Sequence, residues 1–275
     1  MSRLHLSGLH LYPVKSLRGC AVTSAGVDAF GLVGDRRFMV VDAGGRCLTQ
    51  RTLPRMALVA TQLEKEFLGL AAPGLPDLRV HRASDPAAPL RRVTVWKHEG
   101  LAAEDCGAAA AAWLTEFLGA DCRLVRLGRE YERFVLKSAA RPGDAVSFAD
   151  ACPFLLIGEG SLAGLNDRLL ARGEEPVPMD RFRPNLVISG APPHAEDGWA
   201  RVQVGPVGFR PAGPCARCVM VTTDQATARR GPEPLQTLAG YRRDARDPAQ
   251  VNFGLNLIHE GKSGILRIGD PAVVG

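Results

Sequence analysis

Apolar and polar positions in the first third of this chain alternate over short runs, the two-residue period of half-buried strands. Leu4 to Leu11 mixes such alternation with consecutive apolar residues. Arg37-Phe-Met-Val-Val-Asp42 is a further strand, Ala43-Gly44-Gly45 is a turn, and Cys47-Leu-Thr-Gln50 reads as the returning limb of a hairpin. Leu58 to Leu63 and Arg92 to Trp96 carry the same signal. Short strands with frequent turns predict a barrel-like β domain. The period changes at Ala108–Leu118, where Trp113, Leu114, Phe117 and Leu118 recur at helical spacing in an alanine-rich background. A helix is predicted there, and a strand pattern resumes over residues 119–126.

Arg129 to Gly143 is polar and reads as a connection, which divides the chain into residues 1–125 and 126–275. Beyond it, Phe154 to Ile157 is a short apolar strand. Glu159 to Arg172 places Leu162, Leu165, Leu169 and Leu170 on one helical face and stops at Gly173. Leu186 to Ser189 and Val202 to Phe209 predict strands, Val219 to Thr223 is strand-like, and Pro234 to Tyr241 predicts a short helix. Ile265 to Ile268 and Ala272 to Val274 are read as strands around the turn Gly269-Asp270. The class expected is α+β and β-rich.

Composition narrows the function classes. The 275 residues suit two domains of ordinary size, and 46% hydrophobic with 23% charged residues reads as globular. No run approaches the roughly 20 apolar residues of a spanning helix. The N-terminus lacks an apolar signal core, so a cytoplasmic protein without a membrane anchor is expected. The net charge of +5 is spread along the chain. With no zinc-finger, RRM or helix-turn-helix signature, nucleic acid is not an expected partner, whereas an anionic cofactor is compatible. The seven cysteines form only one close pair, which argues against a secreted disulfide framework.

Four segments hold candidate chemistry. Pro214-Cys-Ala-Arg-Cys218 is open to three readings: a zinc site lacking a second C-x-x-C, a thioredoxin-like redox pair, or one functional thiolate with a structural neighbour. A soft thiolate suits a transition metal of variable valence, and Arg217 would favour the ionised sulfur of Cys218. Lys15 and Ser16, together with Arg36 of Gly31-Leu-Val-Gly-Asp-Arg36, offer an ammonium, a hydroxyl and a guanidinium fork suited to phosphate. Asp180-Arg-Phe-Arg-Pro-Asn185 could hold a polar heterocycle or an anion. Asp150, before Ala151-Cys-Pro-Phe154, could accept hydrogen bonds from a ligand or cap a turn. His5 and His10 fall on a predicted strand and are read as structural.

In order, Tyr12-Pro-Val-Lys-Ser, Gly34-Asp-Arg, Arg181-Phe-Arg-Pro-Asn-Leu, Pro214-Cys-Ala-Arg-Cys-Val-Met-Val-Thr-Thr-Asp224, Glu233-Pro-Leu-Gln-Thr-Leu, Asn252-Phe-Gly-Leu-Asn and Ile268-Gly-Asp resemble the MOSC family. The whole is similar to the amidoxime-reducing components and their bacterial relatives. The resemblance implies a MOSC N-terminal β-barrel domain over 1–125. A mixed β-barrel MOSC domain with peripheral helices follows over 126–275. It implies a molybdenum–molybdopterin cofactor with Cys218 as metal ligand and catalytic residue. Lys15, Ser16 and Arg36 would meet the phosphate, Arg183, Asn185 and Asp150 the pterin, and Arg217 would join the cofactor-binding set. Ala151 and Cys152 depart from the hydroxyl residues usual there. The implied reaction is reduction of the N–O bond of small N-hydroxylated compounds. No Cys₄ cluster run is present, so a separate electron donor is implied: a flavin reductase, ferredoxin or cytochrome. The alternative is a cofactor carrier or sulfur-transfer accessory without reductase turnover. A zinc-binding or interaction module is a third possibility.

Overall fold

Residues 3–275 are described by a computed structural model, in which the strands gather into four sheets. The largest sheet has eight strands, in the order Ala272–Val274, Val202–Val204, Val207–Arg217, Val251–His259, Phe154–Gly158, Leu186–Ser189, His5–Leu11 and Cys20–Ala21. Its one parallel pair joins Phe154–Gly158 to Leu186–Ser189. A parallel pair needs a crossover, and the helix Glu159–Leu170 supplies it. That helix buries Leu165 and Leu169 and leaves Leu170 exposed at its end.

Val251–His259 runs through the interior of the sheet with all nine residues buried. A strand covered on both faces shows no alternation, so periodicity does not mark it as a strand. The opening of the chain is woven into this sheet. His5–Leu11 pairs antiparallel with Leu186–Ser189 within it, while Ser24–Asp28 pairs with Ile265–Arg267 and Gly31–Leu32 in a separate three-stranded sheet. Leu6, Leu9 and Val27 therefore share one apolar core with Leu156, Phe209 and Leu257.

The remaining N-terminal strands form a four-stranded sheet and a three-stranded one. The four-stranded sheet orders Phe38–Val41, Arg123–Leu127, His98–Asp105 and Leu90–Val95, and the other joins Ala60–Leu63, Phe67–Ala71 and Leu78–His81. The helix Ala108–Leu118 has the predicted bounds and packs Trp113, Leu114 and Phe117 against Phe38, Val40 and Leu68. Gly119 ends it in a left-handed conformation, φ 67°, and donates its N–H to Thr115 O. Between Leu127 and Phe154 the connection contains no helix or strand, as its polar sequence predicts.

Two local expectations are corrected. Val219–Thr222 is one 3₁₀ turn, not a strand: Cys218 O accepts from Val221 N at 3.1 Å, and the Thr222 hydroxyl donates to Val219 O at 2.8 Å. The β-branched run loses to these local bonds. Ile265–Arg267 and Ala272–Val274 are strands as expected, and they pair with Ser24–Asp28 and Val202–Val204 respectively. The limb after Gly45 returns antiparallel but is too short to count as a strand: Cys47 bridges Val41, Asp42 N donates to Arg46 O at 3.0 Å and Leu48 N to Val40 O at 2.9 Å, while on its other side Arg46 bridges Thr94. Among the described residues, no helix is long and apolar enough to cross a membrane.

Candidate functional site

Tyr12 to Arg18 leaves the first strand as a tight loop pinned from several sides. Lys15 N donates to Phe38 O at 2.8 Å, and the buried Gln50 amide donates to Ser16 O at 2.9 Å. Gln50 and Gln225 exchange reciprocal amide hydrogen bonds at 3.0 Å, which ties this loop to the C-terminal half. Ser16 has φ 66° and Arg36 φ 47°, both left-handed. Arg36 Nη1 donates to Asp35 Oδ2 at 2.7 Å and to Asn185 Oδ1 at 3.1 Å. The Tyr12 ring centroid lies 4.2 Å from the Arg36 guanidinium and 4.3 Å from that of Arg183.

The C-terminal half delivers the thiols. Strand Val207–Arg217 slips register twice against Val251–His259, between Pro211 and Pro214 and between Pro214 and Ala216. Proline lacks the N–H a ladder needs, so bulges form where the two prolines fall. Asn256 Nδ2 holds Pro214 O at 3.0 Å, fixing the bulged segment that carries Cys215. Cys218 follows as the residue that opens the 3₁₀ turn.

All eight residues singled out from sequence line one cleft: Lys15, Ser16, Arg36, Asp150, Arg183, Asn185, Arg217 and Cys218. Six cations border it, counting Arg51 and Arg181, and Asp150 is the one carboxylate in its wall. Asp35 pairs with Arg36 behind the wall, and Asp224 pairs with Arg181 at 2.8 Å. Positive charge remains in surplus. Arg51 Nη1, Arg181 Nε, Arg183 Nη2 and Arg217 Nε are buried without a hydrogen-bond partner. Burial lowers the Arg183 pKa to about 10, with Tyr12 opposing the shift. Buried guanidinium N–H groups without acceptors call for an anion. The donor set therefore fits an anionic, hydrogen-bonding ligand with a soft metal at the thiol end.

Lys15 is buried, and its ammonium donates to Phe148 O at 2.8 Å and pairs with Asp150. Burial draws the Lys15 pKa down, and Asp150 opposes that. The crowded cleft around the half-exposed Asp150 works against its ionisation, but Lys15 outweighs that and holds the carboxyl well below the usual carboxylate range. Cys152 lies in the same wall, and burial pushes its thiol up to about 12, so it stays neutral.

Two expected contacts take a different form. Arg217 Nη1 donates to Cys215 Sγ at 3.0 Å and Nη2 to Phe182 O at 2.6 Å, so the thiol it touches is Cys215, not Cys218. Residues two apart share a strand face, while Cys218 has already entered the turn. Asn185 Oδ1 is occupied by Leu155 N at 3.2 Å and by Arg36, and its Nδ2 donates to His10 O at 3.2 Å. One N–H of that amide is left for a ligand. Sequence reasoning missed Arg51, Gln50, Gln225, Asn256 and Trp96. Each acts through a distant partner, so no local pattern marks it. Among the described residues, no group of three or more His, Cys, Asp or Glu side chains forms a metal-holding cluster.

Comparison with known proteins matches residues 3–121 to the MOSC N-terminal beta barrel domain and residues 143–273 to the MOSC domain. Mitochondrial amidoxime-reducing component 1 of Mus musculus is 36% identical over 277 residues, covering 96% of this chain and 80% of that one. The chain belongs to the MOSC family. The Homo sapiens amidoxime-reducing component 1 is 34% identical with the same coverage, 96% and 80%. Molybdenum cofactor sulfurase of Danio rerio is 34% identical over 93% of this chain but only 32% of its own length. Tyr12, Lys15, Ser16, Arg36, Gln50, Arg51 and Trp96 fall in the MOSC N-terminal match, and the other site residues fall in the MOSC match.

Proposed function

We propose that the cleft binds a molybdenum–pterin cofactor and that the protein reduces N-hydroxylated compounds. The observation that carries this is the convergence of Cys218 with six cations, four of them holding buried N–H groups without acceptors, in one cleft. Relatives named for amidoxime reduction across nearly the whole chain support the reaction class. Lys15, Ser16 and Arg36 would hold the phosphate, and Arg183, the spare Asn185 N–H and Asp150 would border the pterin. Cys218 would supply the metal's thiolate. When bound, the cofactor supplies two-electron chemistry at molybdenum. The chain's own residues bind and orient: Tyr12 spaces the Arg36 and Arg183 forks, and Arg217 sets Cys215 and Phe182 at the thiol end. A separate redox protein would deliver electrons, and the substrate would be a small N-hydroxylated molecule.

The test is elemental analysis of protein made in cells that synthesise the cofactor, beside Cys218→Ala, followed by turnover of an amidoxime with a chemical reductant. Stoichiometric molybdenum that is lost in the variant, with turnover, is the expected result. Molybdenum retained in Cys218→Ala would sink the ligand assignment. Bound cofactor without turnover would favour a carrier or sulfur-transfer accessory, the role suggested by the sulfurase relatives.

A further inference from the structure

Trp96 sits at the turn between Leu90–Val95 and His98–Asp105 and is 42% exposed. Its backbone is left-handed, φ 55°, which is unfavourable for a bulky side chain. Neither exposure nor backbone recommends tryptophan here, yet three contacts use it. The indole N–H donates to Asp150 Oδ1 at 3.0 Å. The Arg51 guanidinium lies 4.3 Å from the ring centroid, and Lys15 Nζ lies 5.4 Å away. The Asp150 carboxylate thus receives the indole N–H, the Lys15 ammonium and, at 3.6 Å, Arg51 Nη2.

Two cations and an N–H around one anion form the donor set of a phosphate site, with a carboxylate standing in it. The carboxylate does not use up the donors, because Arg51 Nη1 is buried with no acceptor. A tetrahedral dianion carries more oxygens and more charge. The Asp150 side chain is 53% exposed, so it can turn outward into water. We propose that Asp150 is a resident counter-ion that keeps Lys15, Arg51 and Trp96 assembled, and that a phosphomonoester enters by displacing its carboxylate. This rests on the anionic-cofactor reading of the cleft. It adds Arg51 and Trp96 as positioning residues beside Lys15 and reassigns Asp150 from the pterin border to the phosphate end, where its carboxylate competes with the phosphate.

The probe is inorganic phosphate, added to cofactor-free full-length protein at constant ionic strength and followed by equilibrium dialysis. Asp150→Asn is expected to bind it at least about tenfold tighter than wild type, because a like charge has left the subsite. Arg51→Ala, a change at a partly exposed side chain, is expected to bind about fivefold more weakly. Phosphate is also expected to change tryptophan emission in wild type, with no change in Trp96→Phe. Equal or weaker binding by Asp150→Asn would overturn the proposal, and so would unchanged binding by Arg51→Ala. Stoichiometric molybdenum in wild type alongside either of those results would sink the counter-ion and leave the cofactor reading standing. Tighter phosphate binding by Asp150→Asn in a protein that takes up no molybdenum would do the reverse.

Discussion

At the scale of single residues, the cleft keeps arrangements that folding alone would not favour. Six non-glycine residues among those described have a left-handed backbone, and Ser16, Arg36, Trp96 and Arg183 border or touch this one site. Such strain persists where surrounding bonds over-determine it, and it gathers where geometry serves binding. Arg183 adds an electrostatic penalty, since it is 8% exposed with an unpaired Nη2. Arg183→Met keeps an apolar body near Tyr12 and removes that charge. Cofactor-free Arg183→Met is therefore expected to be more stable than wild type by about 1–2 kcal/mol in denaturant titration, while failing to retain cofactor. A less stable variant would show that the contact with Tyr12 outweighs the desolvation.

Among the elements, legibility in the sequence follows periodicity. Ala108–Leu118 was readable to the residue because Trp113, Leu114, Phe117 and Leu118 face one core and Gly119 stops the helix. A methyl group at Gly119 would meet nothing within 4 Å, so Gly119→Ala tests the backbone alone. It should lower stability by about 1 kcal/mol in thermal or chemical unfolding and leave molybdenum retention unchanged. By contrast, Val251–His259 hid its strand behind uninterrupted burial, and Val219–Thr222 carried β-branched residues into a turn held by Thr222. The site divided in the same way. Lys15, Arg36 and Cys218, which lie in compact ordered motifs, were singled out from sequence and do line one cleft. Trp96 and Arg51 reach Asp150 through space, and no local spacing encodes that contact.

At the scale of the whole molecule, His259 joins the central strand to the chain's opening, with its Nε2 donating to Asp28 O at 2.7 Å. Burial pushes its pKa from 6.5 down to about 4, with Lys262 acting in the same direction. Between those values the unfolded chain holds a proton that the folded one refuses. Stability is therefore full above pH 6.5 and falls as pH drops towards 4, by up to about 3 kcal/mol. Denaturant midpoints measured across that window should show the loss in wild type and a flatter profile in His259→Gln. An identical slope in both would place the titration elsewhere. The same long-range weave governs synthesis. His5 pairs with Ser189 and Ala25 with Leu266, so a ribosome releases the opening strands long before their partners exist. An unpaired strand edge invites a neighbouring nascent chain. Ser7, Gly8 and His10 interrupt the leucines of His5–Leu11, which breaks the apolar run that the strand would present while unpaired.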